Sequence, residues 1–254
     1  NAAMVAEYNP ALKGFGSTNS PAITGEGIKM VNSVGGALVD MNEIQTHPTV
    51  VHNNTTMITE AVRGEGAILV NREGKRFINE LETRDVVSKA ELEQTGKSAF
   101  LIFDQSIREN LGAINGYVKR GLAVEGATLE ELAKKMGINV NTLVKTMETY
   151  NGYVKAGTDK DFGKTVLPRE LVKAPFYAIE VSPAVHHTMG GVRINTKAQV
   201  LTADGKVISG LYAAGEITGG VHGANRIGGN AVTDITVYGK TAGENAADFA
   251  KTSK

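Results

Sequence analysis

The sequence predicts a mixed fold of class α+β with α/β flanks, and three observations carry that prediction. The short apolar runs AILVN (67–71), SAFLIF (98–103) and FYAIEV (176–181) have the length and composition of buried strands. Leu129, Leu132, Leu143, Met147, Tyr150 and Val154 recur at helical spacing around Gly137, as core-facing positions do. A glycine-rich run from Gly215 to Asp234 then leads into VTDITVYGKTAGENAADFA, which reads as a helix.

In chain order, TGEGIKMVNSVGG predicts a helix over about 25–34 with Thr24 as N-cap and Gly35-Gly36 as its stop, followed by a short strand. From Met41 to His187 charged helices interleave with short strands, which marks 41–187 as an inserted domain between flanks 1–40 and 188–254. IQTHPTV predicts a strand that ends at Pro48, since proline cannot donate to a ladder. MITEAVRG places Glu60 and Arg63 three residues apart, on one face of a helical turn. The charges of Glu130, Glu131, Lys134 and Lys135 read as a solvated face, and DKDFGKTVLPREL as a connecting loop without chemistry. After HHTMGG (186–191) come short strands with turns at Asn195 to Lys197 and Asp204 to Lys206.

GEITGGVHGANRIGGNAVTD gathers glutamate, histidine and arginine among glycines, which lets backbone approach a ligand and presents the free N–H groups of a helix start. The same run reads equally as a tight turn that packs a helix onto a sheet. Among the histidines, His47 sits at a predicted strand end and His186 is the natural choice for a general acid. Glu60 with Arg63 also reads as a surface ion pair, and Arg84 as an ion-pair partner of Glu82, Asp85 or another nearby acid.

Composition excludes several classes. The 254 residues are 41% hydrophobic and 21% charged with zero formal net charge, which offers nucleic acid no basic surface. Five histidines, no cysteine and no HExxH argue against a metal site, and no apolar run approaches the roughly 20 residues of a membrane-spanning helix.

HHTMGG, GLYAAGEITGGVHGANRIGGNAVTD, and THPT with MITEAVRGEGAILVNREGKRF resemble the flavoprotein of soluble fumarate reductases of the flavocytochrome c type, over essentially the whole chain. The resemblance implies the C-terminal part of a Rossmann-like FAD-binding domain in 1–40 and 188–254, with 41–187 as a capping or clamp domain. The GxGxxG turn that opens such folds is absent, as are CxxCH motifs. The expectation is therefore non-covalent FAD, with its ADP-binding half and any haem c on a preceding part of a longer protein, a haem domain or cytochrome as electron donor, and a periplasmic location.

By the same resemblance, His47, Met57, Thr59, Glu60, His186, Arg226 and Gly229 line a dicarboxylate site. His187, Glu216, Asn230, Ala231 and Val232 meet the flavin. Arg84, in ETRD, is the family's proton donor to substrate, with Glu60 and Arg63 as the relay behind it. The implied reaction is hydride transfer from flavin N5 to fumarate and protonation by Arg84 to give succinate. The rival expectations are a sibling reductase of another unsaturated acid, such as urocanate or an acrylate, and a non-catalytic fragment holding half a flavin site.

Overall fold

A computed structural model describes residues 1–252. The chain opens with helix α1 (Ala2–Tyr8), helix α2 (Glu26–Ser33) and strands β1 (Leu38–Val39) and β2 (Ile44–Val51). Next come α3 (Ala61–Gly64), β3 (Ile68–Val70), α4 (Arg84–Leu92), β4 (Ala99–Asp104), α5 (Gln105–Asn110) and α6 (Ala113–Lys119). β5 (Val124–Gly126), α7 (Leu129–Met136), α8 (Val140–Ala156) and the long β6 (Phe176–Thr188) follow. The last elements are β7 (Gly191–Arg193), β8 (Gln199–Leu201), β9 (Val207–Tyr212), β10 (Thr218–Gly219) and α9 (Asn230–Thr252).

The chain divides into two compact units, one of residues 1–46 with 185–254 and one of residues 47–184. In the second, a sheet runs in the order β2-β6-β4-β3 with β5 also on β6. β4 lies between β6 and β3, antiparallel to both, and all six of its residues are buried. Helices α7 and α8 are delimited by local chemistry: Thr128 Oγ1 accepts from Glu131 N (3.2 Å), Asn139 Oδ1 accepts from Thr142 N (2.9 Å), and Gly137 and Gly157 end them with φ of 68°. Leu132, Leu143, Met147 and Tyr150 face the core, as their spacing predicts. Gly126 is required by packing, because a Cβ there would lie 2.6 Å from Leu132 N.

The first unit has a smaller core, in which Val31, Val192, Val200 and Ala213 are buried. Its three-stranded sheet has the order β1-β7-β10, and β8 and β9 form a separate antiparallel pair across the predicted turns. Gly190 and Gly191 have no room for a Cβ against the backbones of Asp40 with Met41 and of Ile217 with Thr218, which explains the glycine pair of HHTMGG by packing.

Three local expectations are corrected. β2 continues through Pro48 to Val51, because it is an edge strand in the sheet order and an edge position tolerates a missing donor. β6 runs on to Thr188 through Pro183, which lies beyond Val181, the last residue paired with β4. The cap of α2 is Gly25 in the left-handed region (φ 76°) rather than Thr24.

The loop assigned no chemistry holds a buried ion cluster. The carboxylate of Glu80, fully enclosed, accepts from Arg76 Nε (2.8 Å) and Nη2 (2.9 Å) and lies 3.1 Å from Lys164 Nζ. Arg76 Nη2 also donates to Asp159 (2.9 Å). Burial works against the Arg76 cation, but Glu80 and Asp159 outweigh it and hold the pKa above its usual value. For Lys164 burial wins, and its pKa is lowered despite Glu80. Removing one partner strands buried charge, so Glu80→Gln is expected to lower the stability of the full-length protein by about 3–5 kcal/mol in urea unfolding. A change within error would show that the cluster carries no stability.

Candidate active site

The site residues predicted from sequence fall into two sets, one in each unit, and each set is built by its own elements. In the 47–184 unit, β2 turns back through the antiparallel bridge Val50↔Met57, and Thr49 ties the two arms by donating from Oγ1 to Ile58 O (3.0 Å) and accepting at its own carbonyl from Ile58 N (2.8 Å). His47 is 1% exposed, with Nδ1 3.5 Å from Thr49 Oγ1. Tyr117 OH accepts from Thr59 N (3.2 Å), and Met57 is partly exposed.

Glu60 is the N-cap residue of the single-turn helix α3, which sets Arg63 one turn on. From α4, the helix that Arg84 begins, the guanidinium grips the Glu60 carboxylate with both arms, Nε to Oε1 at 2.7 Å and Nη2 to Oε2 at 2.8 Å. Arg63 Nη2 reaches the same Oε1 at 3.4 Å and Nη1 donates to Glu80 O at 2.7 Å. Arg63 is 3% exposed, so the pair with Glu60 is no surface contact. The bidentate partner of Arg84 is Glu60, an acid 24 residues away in the chain. The hydrogen bonds from Arg84, reinforced by the charges of Arg84, Arg63 and His47, outweigh burial and pull the Glu60 carboxyl down to about 2. Burial dominates at Arg63, whose pKa is lowered although Glu60 and Glu91 oppose this.

In the other unit, β6 delivers His186 and His187 on successive positions. Thr18 Oγ1 and His186 Nδ1 share a 2.7 Å hydrogen bond, and Asn19 Nδ2 donates to His186 O (2.9 Å). Gln45 Nε2 donates to Asn225 Oδ1 (2.6 Å) and to Arg226 O (2.7 Å), which fixes the loop that carries the buried Arg226. His187 meets His222 edge-on, with ring centroids 5.6 Å apart, and His222 Nε2 lies 3.3 Å from Asp234 Oδ2. Glu216 accepts from Thr188 N (3.0 Å); burial raises its pKa against the pull of that N–H and of Arg226.

The glycines of the run are required for two different reasons. At Gly219 a Cβ would strike the backbone of Gly191 and Val39, which is packing. At Gly223 and Gly229, with φ of 61° and 87°, the Cβ position is open, so backbone geometry alone demands glycine. Asn230, Ala231 and Val232 form the first turn of α9 as expected. Thr18, Asn19, Gln45, His222 and Asp234 are the additions that structure makes. His222, the histidine of the glycine-rich run, and Asp234, its last residue, stand twelve residues apart across the turn into α9.

This second set fits a flavin. It offers N–H groups at the start of a 23-residue helix, a carboxylate next to the end of β6, and a buried imidazole whose Nδ1 has no hydrogen-bond partner among the described residues.

Burial, with help from the Arg226 charge, pushes the His187 imidazole down from 6.5 to about 4. Unfolding therefore takes up a proton between those values, and stability falls as pH falls through that window. An NMR titration of His187 is expected to find its midpoint near pH 4, with Arg226→Ala moving it upward; a midpoint in the ordinary imidazole range would refute the assignment.

The chain is 55% identical over 97% of its length to a fumarate reductase (cytochrome) of Shewanella frigidimarina, of which it spans 43%. It is 42% identical over 98% of its length to an NADH:acrylate oxidoreductase of Vibrio harveyi, of which it spans 26%. Among solved structures, the open conformation of a flavocytochrome c3 fumarate reductase matches 98% of this chain with a TM-score of 0.79 and 46% identity, and the match covers 44% of that chain. The chain thus spans less than half the length of each of these three. Residues 1–232 match the FAD binding domain family, so the chain belongs to that family, and its close likeness within it is to the flavoproteins of fumarate reductases.

Proposed function

We propose that the protein containing this chain is an FAD-dependent fumarate reductase that converts fumarate to succinate. FAD, when bound, supplies the hydride. Residues 41–187 are the capping domain of this reading. His187, Glu216 and the Asn230 to Val232 helix start hold the flavin. Arg226 and His186 bind one substrate carboxylate, for which the planar guanidinium is suited, and Gly229 leaves room for its approach. His47 and Thr59 bind the other, with Met57 against the carbon chain. Charges and donors on the substrate carboxylates polarise the alkene in this reading.

Arg84 gives a proton to the substrate carbon, and Glu60 with Arg63 restores it. The observation that supports this most is the double grip of Arg84 on Glu60, with Arg63 buried on the same carboxylate. Glu60 is ionised throughout the neutral range and so stands ready as a proton acceptor between two guanidiniums. A haem-bearing electron donor and a periplasmic location complete the proposal by likeness to the cytochrome-type relative.

A sibling activity on an acrylate is the second reading, favoured by the likeness to an acrylate oxidoreductase. Steady-state assays of the full-length protein separate the two: fumarate is expected to be reduced faster than acrylate or urocanate, and faster turnover of a monocarboxylate overturns the fumarate assignment. In the same assay Arg84→Ala is expected to lower kcat by at least about 100-fold with KM nearly unchanged, whereas Arg226→Ala raises KM. Wild-type kcat in the Arg84 variant would remove Arg84 from the reaction.

A further inference from the structure

A short extended segment outside the site motifs lies along the end of β6 and carries the side chain that meets His186. Val185 N donates to Gly16 O (2.8 Å), Thr18 N donates to Val185 O (2.9 Å), and Ser17 and Val185 are bridge partners in parallel register. Extended chains alternate their side chains between two faces. With Ser17 opposite Val185, the next residue of each strand, Thr18 and His186, projects to the same face. A slip of one residue would turn Thr18 away from the imidazole. Asn19 secures this register, since its Nδ2 donates to His186 O (2.9 Å) while its backbone N–H donates to Ser17 Oγ (3.1 Å).

The side-chain contact that results is short. Thr18 Oγ1 and His186 Nδ1 are 2.7 Å apart. A threonine hydroxyl owns one proton, so the hydrogen in this contact is either its own or the ring's. The alternative acceptor for the hydroxyl is Val185 O, which lies 3.4 Å away and already accepts from Thr18 N. That is beyond the roughly 2.5–3.0 Å of an O–H···O bond, so the hydroxyl gives its proton to Nδ1. A neutral imidazole whose Nδ1 is an acceptor carries its hydrogen on Nε2. A ring that gains a second proton has N–H at both nitrogens, so Nε2 keeps its hydrogen there too.

We propose that Thr18 is a positioning residue for the substrate: it fixes the plane of the His186 ring and holds Nε2 as an N–H that donates to a carboxylate. The role rests on the reductase reading above, in which His186 and Arg226 share one carboxylate of fumarate. A bare Nε2 would present a lone pair to that anion and repel it. An N–H in the same place adds a donor beside the guanidinium. Thr18 exerts this effect through the ring, without a contact of its own to the substrate.

The test uses the full-length flavoenzyme with Thr18→Val, which keeps the shape and removes the hydroxyl, and Thr18→Ser, which keeps the hydroxyl. In nitrogen NMR of the histidine rings above their titration range, wild-type His186 is expected to show a single tautomer, protonated at Nε2 and bare at Nδ1. The two nitrogens are expected to move toward averaged shifts in Thr18→Val and to return in Thr18→Ser. A wild-type ring protonated at Nδ1 overturns the proposal even if Thr18→Val does not fold, and so do shifts unmoved in the folded valine variant. In steady-state assays KM for fumarate is expected to rise about tenfold in Thr18→Val with kcat little changed, the effect of losing one oriented hydrogen bond, and to recover in Thr18→Ser. A wild-type KM in the valine variant, or a serine variant as weak as the valine one, overturns it; structural damage alone would lower the amount of active enzyme and leave KM where it was. The parent reading fails separately: faster turnover of a monocarboxylate changes the substrate, while the state of the His186 ring is read from its own shifts.

Discussion

The carboxyl group and backbone of Glu80 are the constraint on which the 47–184 unit is assembled. The side chain is fully buried, and it is tolerable only because Arg76 binds it twice, Lys164 adds a second cation and Leu69 N donates from β3 at 3.3 Å. Its carbonyl takes Nη1 of Arg63, so the same residue aims the guanidinium that meets Glu60. Arg76 lies over the rings of Tyr150 and Phe162, which carries the cluster to α8 and to the loop after it. One residue thus couples the packing of a sheet, a helix and a loop to the orientation of a site residue.

Around Arg63 the fold separates acids by environment rather than by residue type. Glu60 is partly exposed and gripped by an arginine; Glu91 is sealed away without a donor. Identical carboxyl groups on neighbouring helices are therefore shifted in opposite directions, down at Glu60 and up at Glu91. The imidazoles of the other unit follow the same logic, with His187 kept neutral by burial and by Arg226, and His222 set beside Asp234.

Much of this architecture was legible in the sequence where the determinants are local. Apolar runs gave the central strands, the spacing around Gly137 gave α7 and α8, and the glycine run gave the turn into α9. Pro48 misled because a strand's place at a sheet edge is a property of the sheet and not of the strand. The loop of Asp159 and Lys164 read as a connection without chemistry because its partners lie far off in the chain, Arg76 83 residues from Asp159. Glu91, within KAELEQ, has the look of a solvated helix, and only the burial of one face of α4 marks it out. The site residues came through motif likeness, whereas Thr18 and Asn19, which steady His186, lie in a stretch with no periodicity to read.

The ion cluster also bears on how a chain without cysteine fastens a loop. Arg76 and Asp159 join segments that in many extracellular proteins would be stapled by a disulfide. A staple made of charge is indifferent to thiols and oxidants and answers to acidity instead. The segment from Asp159 to Lys164 stays fastened under reducing and oxidising conditions alike, and loosens only where protons compete for its carboxylates.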